Sequence, residues 1–226
     1  MSNAGGGPLG ILGGTFDPIH CGHLRLAEEA LERLQLARVR LIPAGMPPHR
    51  NPPVAAADQR LAMARLVVAH NHGLELDASE VAATGPSYTV PTLERLRGEL
   101  GEERPLVLLM GADAFLGLTT WHRWEDMFRL AHIAVATRPS HSLEAAHMAP
   151  ELAQVFSQRL ARTTQALTAS PAGAIVPFGI TPLDISATAI RAALATGRSA
   201  RYLLPDEVLD YISSHHLYQS PTPETP

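Results

Sequence analysis

Lysine is missing altogether from the 226-residue chain. That absence excludes Schiff-base catalysis and the lysine-bearing Walker phosphate loop, so a pocket for anions has to rely on arginine. Cysteine occurs once, at Cys21, which rules out an internal disulfide and any CxxC metal or redox pair and leaves a small residue filling a turn. No apolar run approaches the ~20 residues needed to span a bilayer, and the opening MSNAGGGP has neither the basic nor the apolar segment of a secretory signal. The expectation is a cytoplasmic protein with no membrane partner. A formal net charge of -4 without long basic runs argues against a nucleic-acid surface. What the chain does have is apolar bulk: 46% hydrophobic residues suffice for a sizeable core in one globular unit. Its expected limits are residues 8–219, with disordered tails at 1–7 and 220–226.

Residues 9–12 form a short apolar run ending in Gly13 and Gly14, after which Leu24, Ala27, Leu31 and Leu34 recur at helical spacing. Strand, tight loop and helix follow from that order. Residues 39–42 give a second strand stopped by Pro43, and AGMPPHRNPP is too rich in proline and glycine to continue it. Asp58 is placed to cap a helix running to about His70, and residues 74–76 suggest a strand. After TGPSYT, the residues Val90, Leu93, Leu96 and Leu100 mark a helix that Thr89 could cap. Residues 106–110 and 133–136 read as buried strands and 174–178 as the last one, while 140–173 reads only as a variable helical insertion. Two helices close the chain, one opening at Ser186 and one at Pro205, where proline suits the first helical position. Strands that alternate with helices, mostly as uninterrupted apolar runs, predict an α/β fold with a parallel sheet covered on both faces. Ligands of such sheets bind beyond the carboxyl ends of the strands, where the glycine pair, the PPHR loop, Gly111 and Asp113 all fall.

The first strand runs into GGTFDPIHCGH. Gly13 and Gly14 let a phosphate approach the backbone, and the helix start beyond them offers free N–H groups and a positive dipole. His20 and His23 lie three apart around Gly22, so both imidazoles can face one bound group. No HExxH pattern or nearby third ligand supports a metal, and donation to phosphate oxygens is the simpler chemistry. Near the far end stands ISATAIR, in which Ser186 can cap a helix while Arg191 reaches back toward the same N-terminus.

GGTFDPIHCGH resembles the HxGH signature of the nucleotidyltransferase superfamily, and its TFDPIH context resembles the bacterial nicotinate-mononucleotide adenylyltransferases. ISATAIR is similar to the superfamily's second signature, and PAGMPPHR, GPSYT, GADAF and TTW occur between them in the family's order. The resemblance covers nearly the whole chain and is weakest over 140–173. It implies a Rossmann-like, doubly wound parallel sheet with a small C-terminal helical part. It also implies adenylyl transfer from ATP to nicotinate mononucleotide, with Mg²⁺ bound mainly through the nucleotide phosphates.

On that resemblance His20, His23, Ser186 and Arg191 are the catalytic donors, and Gly13, Gly14, Thr15, Phe16, Gly111, Asp113 and Ile185 join His23, Ser186 and Arg191 around ATP. His49 and Arg50 are implied beside the mononucleotide, Trp121 stacked on its ring, and Thr89 and His122 offering N–H groups to its carboxylate. The family frequently has tyrosine where this chain has His122. Asp113 can accept from ribose hydroxyls or cap a helix. Alternatives are an enzyme of the superfamily that uses nicotinamide mononucleotide or phosphopantetheine, or a nucleotide-binding protein without turnover. A homo-oligomer is compatible with each.

Overall fold

All six apolar runs become strands in the computed structural model, which describes residues 6–48, 52–137 and 143–219. They are β1 (Leu9–Gly14), β2 (Arg38–Pro43), β3 (Leu74–Leu76), β4 (Leu106–Gly111), β5 (His132–Thr137) and β6 (Ile175–Gly179). The sheet is parallel throughout, in the order β3-β2-β1-β4-β5-β6. The helices are α1 (Cys21–Arg33), α2 (Ala57–Val68), α3 (Ser79–Ala82), α4 (Thr89–Leu100), α5 (Ala112–Leu116), α6 (Met127–Leu130), α7 (Pro150–Arg159), α8 (Ala166–Ala169), α9 (Ala187–Ala195) and α10 (Asp206–Ser214). Residues 1–5 and 220–226, which include most of the two expected tails, lie outside the described residues.

Successive side chains on a strand point to opposite faces, and both faces of this sheet are apolar. Val107 and Leu109 of β4 join Ala27 of α1, Met63 of α2, Ile190 of α9 and Ile212 of α10 on one side. Leu108 and Met110 join Leu93 of α4, Phe115 of α5, Phe128 of α6 and Leu152 of α7 on the other. The doubly wound architecture expected from the runs is therefore the observed one. Within 140–173 the order is firmer than its weak periodicity suggested: α7 buries Leu152 and Phe156, and α8 buries Leu167. Among the described residues no helix is long and apolar enough to cross a membrane.

Three helix starts differ from expectation. The cap of α2 is Ala56, whose N–H donates to Gln59 Oε1 at 3.0 Å, and Asp58 sits inside the first turn. Thr89 is the first helical residue of α4 and Tyr88, in extended conformation, takes the cap. Pro205 is the cap of α10, and Asp206 and Glu207 place negative charge in its first turn. Asp58 thus falls two residues past the observed cap, and Thr89 and Pro205 each differ from expectation by one.

A buried arginine fastens the amino-terminal end of the sheet. Arg97 is 4% exposed and donates to the carbonyls of Leu130 (2.8 Å), Arg104 (2.6 Å), Pro171 (2.8 Å), Glu102 (3.1 Å) and Gly101 (3.3 Å). These carbonyls belong to the segments entering β4, β5 and β6. Beside them His132 accepts the Ala174 N–H at Nδ1 (3.1 Å), which leaves the proton on Nε2 for Ser170 O (2.8 Å). Replacing Arg97 with methionine would orphan several of these carbonyls. Urea unfolding of Arg97→Met is expected to show a loss of ~3 kcal/mol, and a loss below ~1 kcal/mol would mean the fastener is dispensable.

Candidate active site

The strand order reverses between β1 and β4, and the helices that follow them leave toward opposite faces. A crevice at the carboxyl ends of these two strands follows from that topology. The loops after β1, β2 and β4 and the N-terminus of α9 supply its residues.

Gly13, next to last in β1, has open space where a side chain would stand. Phe16 then turns the chain through φ 50° with its ring 2% exposed, which leaves Thr15 and Phe16 as backbone at the crevice. His20 caps α1 in extended conformation, and its N–H donates to His23 Nδ1 at 3.3 Å. That bond fixes the tautomer: Nδ1 accepts, so Nε2 of His23 carries the proton and is a donor. The two imidazoles stack with centroids 3.7 Å apart, and the Phe16 ring meets His23 edge-on at 5.0 Å. Gly22 is needed for this arrangement, because a Cβ there would sit 3.0 Å from His20 Nδ1. His20 is 6% exposed, its Nδ1 has no partner among the described residues, and burial lowers its pKa to about 4.

ISATAIR meets this turn from the far end of the chain. Ser186 caps α9 by accepting the Ala189 N–H at 3.2 Å, and the Ile185 carbonyl lies 3.7 Å from where a Gly22 Cβ would be. Arg191, one turn in, donates from Nη1 to the Asp17 carbonyl at 2.6 Å and from Nη2 to Thr188 Oγ1 at 3.3 Å. The four residues His20, His23, Ser186 and Arg191 therefore converge on the β1–α1 turn.

Asp17 makes the turn rigid. Its carboxylate is buried and accepts the N–H groups of Val54 (2.8 Å) and Ala55 (3.1 Å) and the hydroxyl of Tyr218 (2.7 Å). Arg60, 1% exposed, lies behind it and donates to the carbonyls of Thr15 (2.6 Å), Ala44 (2.6 Å), Gly45 (3.0 Å) and Ala55 (3.2 Å). Asp17, Arg60 and Tyr218 were not singled out in the sequence. Arg60 had left a signal, since it stands three and four residues before Met63 and Ala64 on the apolar stripe of α2, where a solvated arginine does not belong.

The third part of the crevice joins the loop after β2 to GPSYT. Ser87 Oγ accepts the N–H groups of Gly45 (3.0 Å) and Met46 (3.3 Å), and the Ser87 N–H donates to Met46 O at 2.9 Å. Gly45 allows the close approach: a Cβ there would come within 2.1 Å of Glu80 O. Thr89 opens α4 next to this contact, and the Tyr88 and His122 rings lie 4.7 Å apart, which brings GPSYT and TTWH together. Trp121 is half-buried against the cluster beneath α4, and Arg123 pairs with Glu94 of α4 at 2.7 Å. Gly111 caps α5, so Asp113 lies in the first turn with an exposed side chain and is not the cap. His49 and Arg50 lie outside the described residues.

The arrangement offers N–H donors at two helix starts, a neutral imidazole pair and one guanidinium, a set matched to phosphate oxygens. Among the described residues no group of three histidine, cysteine, aspartate or glutamate side chains is gathered as for a metal ion.

Comparison with known proteins agrees with this geometry. The model of the cytidylyltransferase-like family matches residues 11–193, from β1 into α9. A protein of Dechloromonas aromatica strain RCB named "Probable nicotinate-nucleotide adenylyltransferase" is 59% identical over 213 residues, which covers 94% of this chain and 98% of that one. A protein of the same name from Stenotrophomonas maltophilia strain K279a is 50% identical over 216 residues, 93% of this chain and 96% of that one. Among solved structures, the Plasmodium falciparum nicotinic acid mononucleotide adenylyltransferase complexed with NaAD shares the fold with a TM-score of 0.69 at 14% identity, covering 94% of this chain and 97% of that one. With a family model spanning both helix starts and relatives of this identity along nearly the whole length, the chain belongs to the nicotinate-nucleotide adenylyltransferases of the cytidylyltransferase-like family.

Proposed function

We propose that the protein transfers the adenylyl group of ATP to nicotinate mononucleotide, giving nicotinate adenine dinucleotide and pyrophosphate, and that residues 8–219 act as one nucleotidyltransferase domain in the cytoplasm. The observation that carries this reading is the meeting of two helix starts on one turn, with Arg191 held at Asp17 O and His23 set as a donor by the His20 N–H.

An oxygen of the mononucleotide 5′-phosphate attacks the α-phosphorus in line. The new P–O bond forms as the bond to the β-phosphate bridge breaks, and the electron pair leaves with pyrophosphate. No protein nucleophile takes part. The work of this chain is to bring two polyanions together and to stabilise charge on the transferred and leaving groups. His23 donates through Nε2, Arg191 offers its guanidinium, and Ser186 and the backbone of Gly13, Gly14, Thr15, Phe16 and Ile185 line the phosphate path. Gly111 and Asp113 receive the adenosine, with the exposed Asp113 carboxylate accepting from ribose hydroxyls. On the acceptor side Trp121 stacks on the pyridine ring while Thr89 and His122 turn N–H groups to its carboxylate, and His49 and Arg50 bind the mononucleotide. A carboxylate is favoured at the start of α4 for the same reason a phosphate is favoured at α1.

The donor set fits Mg²⁺ only by way of the nucleotide, since the buried Asp17 carboxylate is taken up by Val54, Ala55 and Tyr218. Bound through phosphate oxygens and water, the ion would neutralise the leaving pyrophosphate.

His20 enters this chemistry neutral. Its folded pKa of about 4 lies below the ordinary 6.5 because burial disfavours the imidazolium. The unfolded chain therefore takes up the proton first as pH falls, and the stability tied to His20 is complete above 6.5 and declines from there toward 4. In the free protein the His20 ring resonances are expected to stay at neutral-form positions between about pH 8 and about pH 5, and a midpoint near the ordinary histidine value would contradict the burial argument.

His23→Ala is expected to lower kcat by roughly 10²- to 10³-fold with little change in melting temperature, and near-normal turnover of the purified variant would remove His23 from the mechanism. Pyrophosphate release should require both ATP and nicotinate mononucleotide. The kcat/KM for the acid should exceed that for the nicotinamide form by roughly 10- to 100-fold, the worth of one charged hydrogen-bond set. A preference for phosphopantetheine would overturn the acceptor and leave the transfer chemistry standing.

A further inference from the structure

The end of the chain reaches the β1–α1 turn through Tyr218, whose side chain is 8% exposed and whose hydroxyl donates to Asp17 Oδ1 at 2.7 Å. Burial and the adjacent carboxylate push the phenol pKa far up, so Tyr218 remains a donor across the working range. On the opposite side of Asp17, Arg191 Nη1 donates to the backbone carbonyl at 2.6 Å and stands 3.8 Å from Oδ2, beyond hydrogen-bond reach. The guanidinium is therefore held beside the carboxylate as a loose ion pair, with no hydrogen bond between them. Three donors set that balance: Val54 N–H occupies Oδ2, and Ala55 N–H and Tyr218 O–H occupy Oδ1.

We propose that Tyr218 is a positioning residue for adenylyl transfer: its hydroxyl anchors Oδ1 and so holds the Asp17 carboxylate in place, which keeps Arg191 on the Asp17 carbonyl, aimed at the triphosphate, and not drawn into a direct hydrogen bond with the carboxylate. The inference rests on the role given above to Arg191. Carboxylate–guanidinium pairs prefer two parallel hydrogen bonds, and a carboxylate short of one donor competes harder for the nearest guanidinium. Loss of the hydroxyl thus shifts Arg191 by the small distance that separates a backbone-held arginine from a paired one. The consequence falls on the phosphates of ATP, because the hydrogen bond that the Tyr218 hydroxyl makes is to Asp17 of the turn, and the pyridine side of the crevice is built from the Ser87 contacts.

A double-mutant cycle on kcat/KM for ATP tests this. Tyr218→Phe keeps the ring packing and removes only the hydroxyl; it is expected to lower kcat/KM for ATP by roughly tenfold while KM for nicotinate mononucleotide stays within about twofold of the parent. In the Arg191→Ala background, which should keep low but measurable activity, the same substitution should cost less than about twofold, since no guanidinium is left to divert. If the two losses multiply, or if Tyr218→Phe retains parental kcat/KM, the positioning role is overturned. If Arg191→Ala alone retains parental kcat/KM, the assignment of Arg191 to the phosphates has failed, a result distinct from either of those. Should Tyr218→Phe melt too low to assay at the standard temperature, the cycle is run at a lower temperature at which circular dichroism shows the variant folded, and the same outcomes decide.

Discussion

Burying a carboxylate costs several kcal/mol unless its lone pairs are taken up, and Asp17 is 5% exposed at the tip of the first strand-to-helix turn. Its oxygens are taken up from two distant parts of the chain, the segment entering α2 and the residue just before the C-terminal tail, while its carbonyl receives Arg191 from α9. Segments nearly two hundred residues apart in sequence are thereby brought to one turn. The proposed phosphate clamp depends on this, since the hydrogen bond that ties Arg191 of α9 to the turn is made to Asp17. The stacked histidines set the donor on one side, and Asp17 holds the arginine to the turn that carries them.

The lack of lysine gives the fold a recognisable manner. Beyond surface ion pairs such as Arg123–Glu94, arginines serve in two further roles, and burial separates them. Arg97 and Arg60 are buried and spend their donors on backbone carbonyls, at the amino and carboxyl ends of the sheet respectively. A guanidinium with five donors in a fixed fork can collect carbonyls from several loops at once, which an ammonium does less well. Arg191 is only part-buried and makes few protein contacts, which suits a side chain kept for a ligand.

The sheet was legible in the sequence because buried parallel strands are uninterrupted apolar runs, and each run from residues 9–12 to 174–178 became a strand. The phosphate half of the candidate site was legible too. Its signal lies in spacing, two histidines around Gly22 and a serine five residues before Arg191, and spacing survives without coordinates. The helix caps expected at Asp58 and Thr89 were displaced by two residues and one, since several residues near a helix start can satisfy its first turn. The Asp17 hub was not legible. Tyr218 sits beside a proline-rich tail and Arg60 inside an ordinary helix, and only folding brings them to the same carboxylate. The acceptor side stands between: GPSYT and TTWH were recognisable as segments, but the Ser87 contacts and the Tyr88–His122 approach that join them to the loop after β2 are long-range.

The central claim is that the turn after β1 and the start of α9 grip one triphosphate together, with Asp17 as their common support. A crystal structure with a non-hydrolysable ATP analogue addresses it most directly. The account predicts His23 Nε2 and the Arg191 guanidinium both at about 3 Å from phosphate oxygens of the same nucleotide, with Asp17 still accepting from Val54, Ala55 and Tyr218. A triphosphate that touches only one of the two helix starts, or an Arg191 hydrogen-bonded to the Asp17 carboxylate while nucleotide is bound, would contradict it.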